Sequence, residues 1–262
     1  MLGKNLVSGF CVAFSLYSKI PMPRTEWNRD TMKYALGFLP LVGGIVGLLE
    51  LGWLYAAMRL QLETVLYGVV AALLPMLVTG GIHMDGFTDT SDALCSYGDR
   101  DKRLEILKDP HVGAFSVMYF AALLLLQCGL YSQFFSVPAL MPVLVIGFAL
   151  ARTIGGGAIV WLPCAKNSGL AHTFAEGSDR KPVRIAMVVE GIMCLLGIAS
   201  FSPVCAAVLV AVLAVLLPLY RRFCLHTFGG VTGDLAGFAI TLSETGILLL
   251  CTVGGLLMRG LA

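Results

Sequence analysis

The sequence predicts an all-α fold, a polytopic integral membrane helical bundle of about seven spans plus an N-terminal membrane-associated segment, making one domain over residues 1–262. Three observations lead there. Hydrophobic residues make up 58% of the chain and charged residues 13%, against about a quarter charged in soluble domains. Apolar runs long enough to cross a bilayer core, roughly 20 residues each, recur along the chain. The basic residues gather in alternate connections rather than being spread evenly, as the positive-inside rule requires of a multi-pass protein.

Taken in order, the first element is the stretch "LGKNLVSGFCVAFSLYSKIPMP". It is apolar but broken by Ser8, Ser15 and Ser18, and no small-residue cleavage site precedes Pro21-Met22-Pro23. It therefore reads as a retained segment that spans, re-enters or lies on the membrane. Spans are then expected at about 36–58, 62–82, 112–135, 138–162, 184–200, 202–220 and 236–258. Short, nearly uncharged connections near 59–62, 136–138 and 200–203 alternate with long polar ones at 21–33, 85–111, 166–184 and 221–234. The polar set carries almost all the Lys and Arg, including Arg24, Lys33, Arg100, Lys102, Lys181, Arg184, Arg221 and Arg222. These loops are expected to face the cytoplasm, and all the chemistry-bearing residues fall among or beside them. The net charge of +2 gives no sign of nucleic acid as a partner. The eight cysteines show no CxxC spacing, so neither a disulfide framework nor a zinc site is indicated. Gly43, Gly44 and Gly47 form a small-residue face suited to packing helices within one chain or in a homo-oligomer.

The first chemical cluster is "GGIHMDGFTDTSDAL" at 80–94. In a helix, the spacings of four and three residues set Asp85, Asp89 and Asp92 on one stripe about 60° wide. Like charges on one face repel, so a cation is expected. Mg2+ suits oxygen donors and completes its shell with water and phosphate. Gly86 leaves the backbone open to a bulky ligand. His83 precedes the stripe and His111 ends the loop; either type can touch a phosphate or accept a proton. Arg103, Lys108 and Asp109 follow. Acids for a metal beside bases for a phosphate are what phosphoryl transfer needs.

The second cluster is "FGGVTGDLAGFAITLSETG" at 228–246. A glycine-rich turn entering a helix, here with Thr232, Gly233 and Asp234, presents N–H groups to phosphate oxygens. Glu244 lies about 15 Å further along that helix. Arg152 interrupts an apolar run and needs an anionic partner, either an acid from another helix or a ligand phosphate. Lys166 opens the polar stretch "KNSGL".

At these residues the chain resembles the cobalamin synthase (adenosylcobinamide-GDP ribazoletransferase) family. "GGIHMDGFTDTSDAL" with "RLEILKDPHVGAF" is similar to one signature of that family, and "GGVTGDLAGFAITLSE" to the other. The chain departs from the usual pattern at Met84, Phe87 and Thr88, and at Asp109-Pro110-His111, where Asp-Ser-Arg is common. The resemblance implies a multi-pass enzyme of the bacterial inner membrane, acting in nucleotide loop assembly at the end of cobalamin (vitamin B12) synthesis. It joins adenosylcobinamide-GDP to α-ribazole or its 5′-phosphate, releases GMP and uses Mg2+. On that basis Asp85, Asp89, Asp92, Asp109 and Asp234 are expected to serve the metal. The substrate groups are Arg103, Lys108, Arg152, Lys166, Thr232, Gly233 and Glu244. One of the acids, or His83, takes the proton. Rival readings are a CDP-alcohol phosphotransferase, whose Ala-Arg pair "DGFTDT" lacks, and an ion-coupled transporter, which predicts acids along a path open to both faces rather than one-sided loops.

Overall fold

With no water in a bilayer core to bond backbone amides, each segment satisfies its own hydrogen bonds as a helix. The structure, a computed structural model, describes residues 2–26, 28–166, 173–174 and 180–261. Helix α1 (Leu2–Tyr17) and the four-residue α2 (Arg29–Met32) lead through a 3-10 turn at Ala35–Phe38 into α3 (Leu39–Arg59). There follow α4 (Thr64–Thr79), α5 (Ile82–Cys95), α6 (Arg100–Ile106), α7 (Ala114–Phe135), α8 (Met141–Trp161), α9 (Arg180–Phe201), α10 (Pro203–Phe223) and α11 (Gly233–Leu261). Pro40, Pro142 and Pro203 stand in the first turns of α3, α8 and α10, where the missing N–H costs no helical bond.

Among the described residues, six helices are long and apolar enough to cross a membrane, and they coincide with six of the seven expected spans. The expected span 62–82 takes another form. Helix α4 stops at Thr79, and α5 leaves it at 98°. Gly80 and Gly81 adopt φ of 68° and 83°, a left-handed pair that glycine reaches without strain. The end of α1 straps this corner, with Lys19 N–H donating to the Val78 carbonyl at 2.8 Å. The N-terminal segment is a 16-residue helix, about 24 Å long and short of a typical span. Its Val12, Ala13 and Phe14 are buried against Leu36, Leu39 and Val42.

Helix α8 is the axis of the bundle, 72% buried along its most apolar stretch, whereas α10 is 17% buried and turns most of its surface outward. Small residues let neighbours approach α8. Gly43 and Gly47 of α3 lie against the backbones of Phe148 and Val145, and Gly155 of α8 lies against Ile240 and Ala236 of α11. The small-residue face of α3 is thus used within the chain, while Gly44 meets nothing. The polar connections gather at one end. Cys164 and Val231 form a short parallel bridge, with Ala165 N–H donating to Val231 O at 2.9 Å and Val231 N–H to Pro163 O at 2.8 Å. Arg184 donates to Val160 O at 2.9 Å.

Candidate active site

The corner at Gly80–Gly81 carries α5 back across this polar end. His83, Gly86, Phe87, Thr90, Ser91 and Ala93 form its buried side, which leaves the Asp85, Asp89 and Asp92 stripe on the other. The close approach at Gly86 is made by a helix rather than a ligand: a side chain there would meet the Asp234 carbonyl at 2.6 Å. Gly237 also sits close to the His83 carbonyl, 3.0 Å from where a side chain would begin, and that carbonyl accepts a hydrogen bond from Thr241 Oγ1 at 3.0 Å. These contacts fix the start of α11 beside α5 and bring Asp234 to the stripe. The half-buried Asp89 lies within the electrostatic reach of Asp85, Asp234 and Asp92 together. Among the described residues none of these four carboxylates forms an ion pair. Asp234 accepts a hydrogen bond from Thr232 Oγ1 at 3.2 Å.

Asp109 does not join them. Its carboxylate accepts from the His111 backbone at 3.0 Å and contacts His111 Nδ1 at 2.6 Å. That backbone N–H, then the ring, holds the exposed Asp109 below the usual carboxylate range. The first hydrogen-bonding partner of His111 is therefore Asp109 rather than the acid stripe.

Facing the acids are two lysines. Lys108, Lys166, Asp85, Asp234, Thr232 and Gly233 line one cavity of about 610 Å³. Lys166 donates to Leu104 O at 2.5 Å. Burial and the neighbouring Lys108 push its ammonium below the usual lysine range, with Asp234 opposing them. The rest of "KNSGL", Asn167 to Leu170, lies outside the described residues. Arg103 is not part of the lining; its Nε is buried without a hydrogen-bond partner.

The glycine-rich turn is anchored more firmly than its sequence implies. The N–H groups of Gly229, Gly230 and Val231 are already spent on Leu225, Cys224 and Pro163 carbonyls. Arg100 Nε donates to Phe228 O at 3.0 Å, and its guanidinium covers Gly229. What remains for a ligand is the first turn of α11, where Thr232 and Gly233 border the cavity. Thr232 Oγ1 also accepts from Leu235 N–H at 3.2 Å.

Arg152 and Glu244 find each other instead of this cavity. They form a buried ion pair between α8 and α11, with Arg152 wholly enclosed and also donating to Phe148 O at 3.2 Å. Both border a separate cavity of about 20 Å³. His83 stands in the wall between the two cavities, with its Nε2 buried and unpartnered. Two residues escaped the sequence reading. Tyr17 lines the large cavity, its ring 6.1 Å from that of His83; nothing local in α1 signals this. Glu50, fully buried on α3 beside Tyr67 and Tyr131, is a lone acid in an apolar run, the same signal that singled out Arg152.

The donor chemistry suits a hard cation, since carboxylates of like charge crowd together without an ion-pair partner among the described residues. Among the described residues, however, no three acidic, His or Cys side chains converge enough to hold an ion by themselves. The arrangement is open, fitting Mg2+ in the mode that uses one or two carboxylates and fills its shell with water and phosphate.

Comparison with known proteins agrees in extent and order. The family model for cobalamin-5-phosphate synthase matches residues 9–252. A protein of Lachnoclostridium phytofermentans named adenosylcobinamide-GDP ribazoletransferase is 36% identical over 89% of this chain and 88% of its own length. Proteins of the same name are 31% identical in Clostridium botulinum (strain Alaska E43), over 92% of this chain and 95% of the relative, and 32% identical in Pseudomonas savastanoi, over 92% and 97%. No solved structure matches. The carboxylate helix and the glycine-anchored start of α11 both fall inside the matched region, and the chain belongs to the cobalamin-5-phosphate synthase family.

Proposed function

We propose that the chain is an adenosylcobinamide-GDP ribazoletransferase, transferring the adenosylcobinamide phosphate from its GDP ester to α-ribazole or α-ribazole 5′-phosphate and releasing GMP. One observation carries this reading: a cavity of about 610 Å³ lined by the carboxylates of Asp85 and Asp234 together with Lys108 and Lys166, with Asp89 beside those acids. Such a lining suits a pyrophosphate, which needs cations on its oxygens and a base near the incoming hydroxyl. The names of the relatives agree with it.

Lys108 and Lys166 take the pyrophosphate oxygens, and the first turn of α11 at Thr232 and Gly233 adds N–H groups with the positive end of the helix dipole. One or two of the carboxylates of Asp85, Asp89, Asp92 and Asp234 would hold Mg2+, with water and phosphate completing its shell. When bound, it supplies charge neutralisation at the pyrophosphate. The ribose 3′-oxygen forms a bond to the phosphorus that bears the cobinamide. The bridging P–O bond breaks, and the bridging oxygen leaves with GMP. An α5 carboxylate at the cavity accepts the hydroxyl proton; His83 borders the same space. The polar end of the bundle faces the cytoplasm of a bacterial inner membrane, as the basic loops require.

The test is incubation of the protein in lipid with adenosylcobinamide-GDP, α-ribazole and Mg2+, following GMP. Release that depends on both substrates and stops with EDTA is the expected result. A protein that is folded, loaded with Mg2+ and supplied with both substrates, yet forms no GMP, rules the reading out.

A further inference from the structure

The large cavity has two parts. Its rim is charged, but its buried lining, the floor, is mainly apolar, built from Tyr17, Leu39, Ile82, Ile159 and Ile240, with His83 beside Tyr17. Leu39, Ile159 and Ile240 are 1%, 5% and 2% exposed, and with Tyr17 they belong to the core cluster shared by α1, α3, α8 and α11. The floor therefore reaches down into the bundle, away from the polar end. We infer that this floor seats the aromatic base of the nucleoside acceptor, the dimethylbenzimidazole of α-ribazole, and so sets which base the enzyme accepts. This deepens the proposed function and rests on it.

Size and polarity choose among the parts of the two substrates. A cavity of about 610 Å³ lies in the range, roughly 300–1,000 Å³, that encloses a drug-sized ligand. A nucleoside fits that space; an adenosylated corrin ring, much larger and edged with amides, stays outside on the polar end. Two flat bases then compete for the floor. Guanine carries a carbonyl, an N–H and an amino group along one edge. Against Leu39, Ile159 and Ile240 these would be left unpaired, which disfavours burial. Dimethylbenzimidazole offers two methyl groups and, once joined to ribose, a single free ring nitrogen. Its methyl edge suits the isoleucine and leucine side chains. The Tyr17 hydroxyl and the neighbouring His83 Nε2 are two polar groups, enough for the one ring nitrogen but not for the several polar atoms of a guanine edge. With the base down, the ribose lies at the level of Thr232 and Gly233, and its hydroxyls face the acids.

Two measurements test this on the whole protein in lipid vesicles. The first uses the wild-type enzyme with α-nucleosides of dimethylbenzimidazole, unsubstituted benzimidazole and adenine. Loss of the methyl groups is expected to lower kcat/KM by about 10-fold or more, in line with the 10–200-fold that a methylene-sized contact commands in an apolar pocket, and adenine is expected to be poorer still. The second uses Ile159→Phe, which fills the floor. It is expected to raise KM for α-ribazole by about 10-fold or more and to leave KM for adenosylcobinamide-GDP within about 2-fold. An increase confined to adenosylcobinamide-GDP assigns the floor to guanine and overturns the inference. Indifference to the methyl groups in the wild type overturns it too, and indicates a floor filled by lipid chains; that arm stands even if Ile159→Phe does not fold. Wild-type protein that forms no GMP from any pair defeats the proposed function itself, whereas turnover with floor-insensitive KM values defeats only the seating of the base.

Discussion

The Arg152–Glu244 pair and the α5 carboxylates are both charged groups in an oily chain, and the fold treats them in opposite ways. Arg152 is enclosed on all sides and meets one acid from a facing helix. Asp85, Asp89, Asp92 and Asp234 are gathered with their own kind, Asp85 and Asp234 lining a cavity, and among the described residues no cation forms an ion pair with them. The buried pair balances its charge within the fold, although Arg152 Nε and Nη2 find no hydrogen-bond partner among the described residues. A cluster of like charges is complete only with something else bound. The contrast separates charges that hold the bundle together from charges that await a ligand, and it makes an ordered set of expectations.

The largest effect belongs to the unpaired acids. Asp89→Ala is expected to lower kcat on the order of 1,000-fold, a loss typical of removing a group that holds transition-state charge, while the protein remains in the membrane with unchanged thermal unfolding. Near-normal turnover would erase the distinction. The next concerns the pair. Removing one partner, as in Glu244→Leu, is expected to destabilise by about 3–5 kcal/mol because a buried charge is left alone. The double variant Arg152→Met with Glu244→Leu should regain most of that, read as the unfolding midpoint in detergent. The folded double variant should keep turnover within about 5-fold of wild type, as expected of well-packed apolar replacements. A far larger loss with the fold intact would move the pair to the chemical side of the comparison.

Smaller effects sharpen it. Lys166→Met should raise KM for adenosylcobinamide-GDP about 10-fold, the scale of one charge-assisted contact. Because burial and Lys108 lower the affinity of Lys166 for its proton, its positive charge fades as pH rises sooner than that of a free lysine. Substrate binding should therefore weaken on the alkaline side, and Lys166→Arg should move that limb to higher pH; a limb that does not move would exclude Lys166 from phosphate binding. Smallest of all, Asp109→Ala should change kcat/KM by less than about 2-fold, since its partner is the adjacent His111 at the surface and exposed pairs contribute little.

Much of this was legible in the sequence, for identifiable reasons. Six spans follow from apolar run length, and the acid stripe follows from its spacing once 82–95 is a helix. Helix α4 fills most of the expected span 62–82, but hydropathy does not register the left-handed pair Gly80–Gly81, which ends it in a sharp turn into α5. Arg152 announced its need for an anion, but a choice between a helix partner and a phosphate depends on which helix lies opposite, a matter of tertiary packing. The same holds for the bridge between Cys164 and Val231, which anchors the glycine turn from a distant stretch without any local pattern. Tyr17 reaches the cavity only because α1 folds back beside α5. Glu50 could have been found, since a lone acid amid apolar residues was the rule already applied to Arg152.

The ion pair also sets a schedule for biogenesis. Arg152 and Glu244 are 92 positions apart, and the ribosome adds about 5–20 residues per second. Arg152 thus enters the membrane roughly 5–20 s before its acid is made, with α11 still unsynthesised. During that interval the nascent bundle holds a guanidinium without the acid it meets in the folded protein, and a chain that stops before the last helix never gains it.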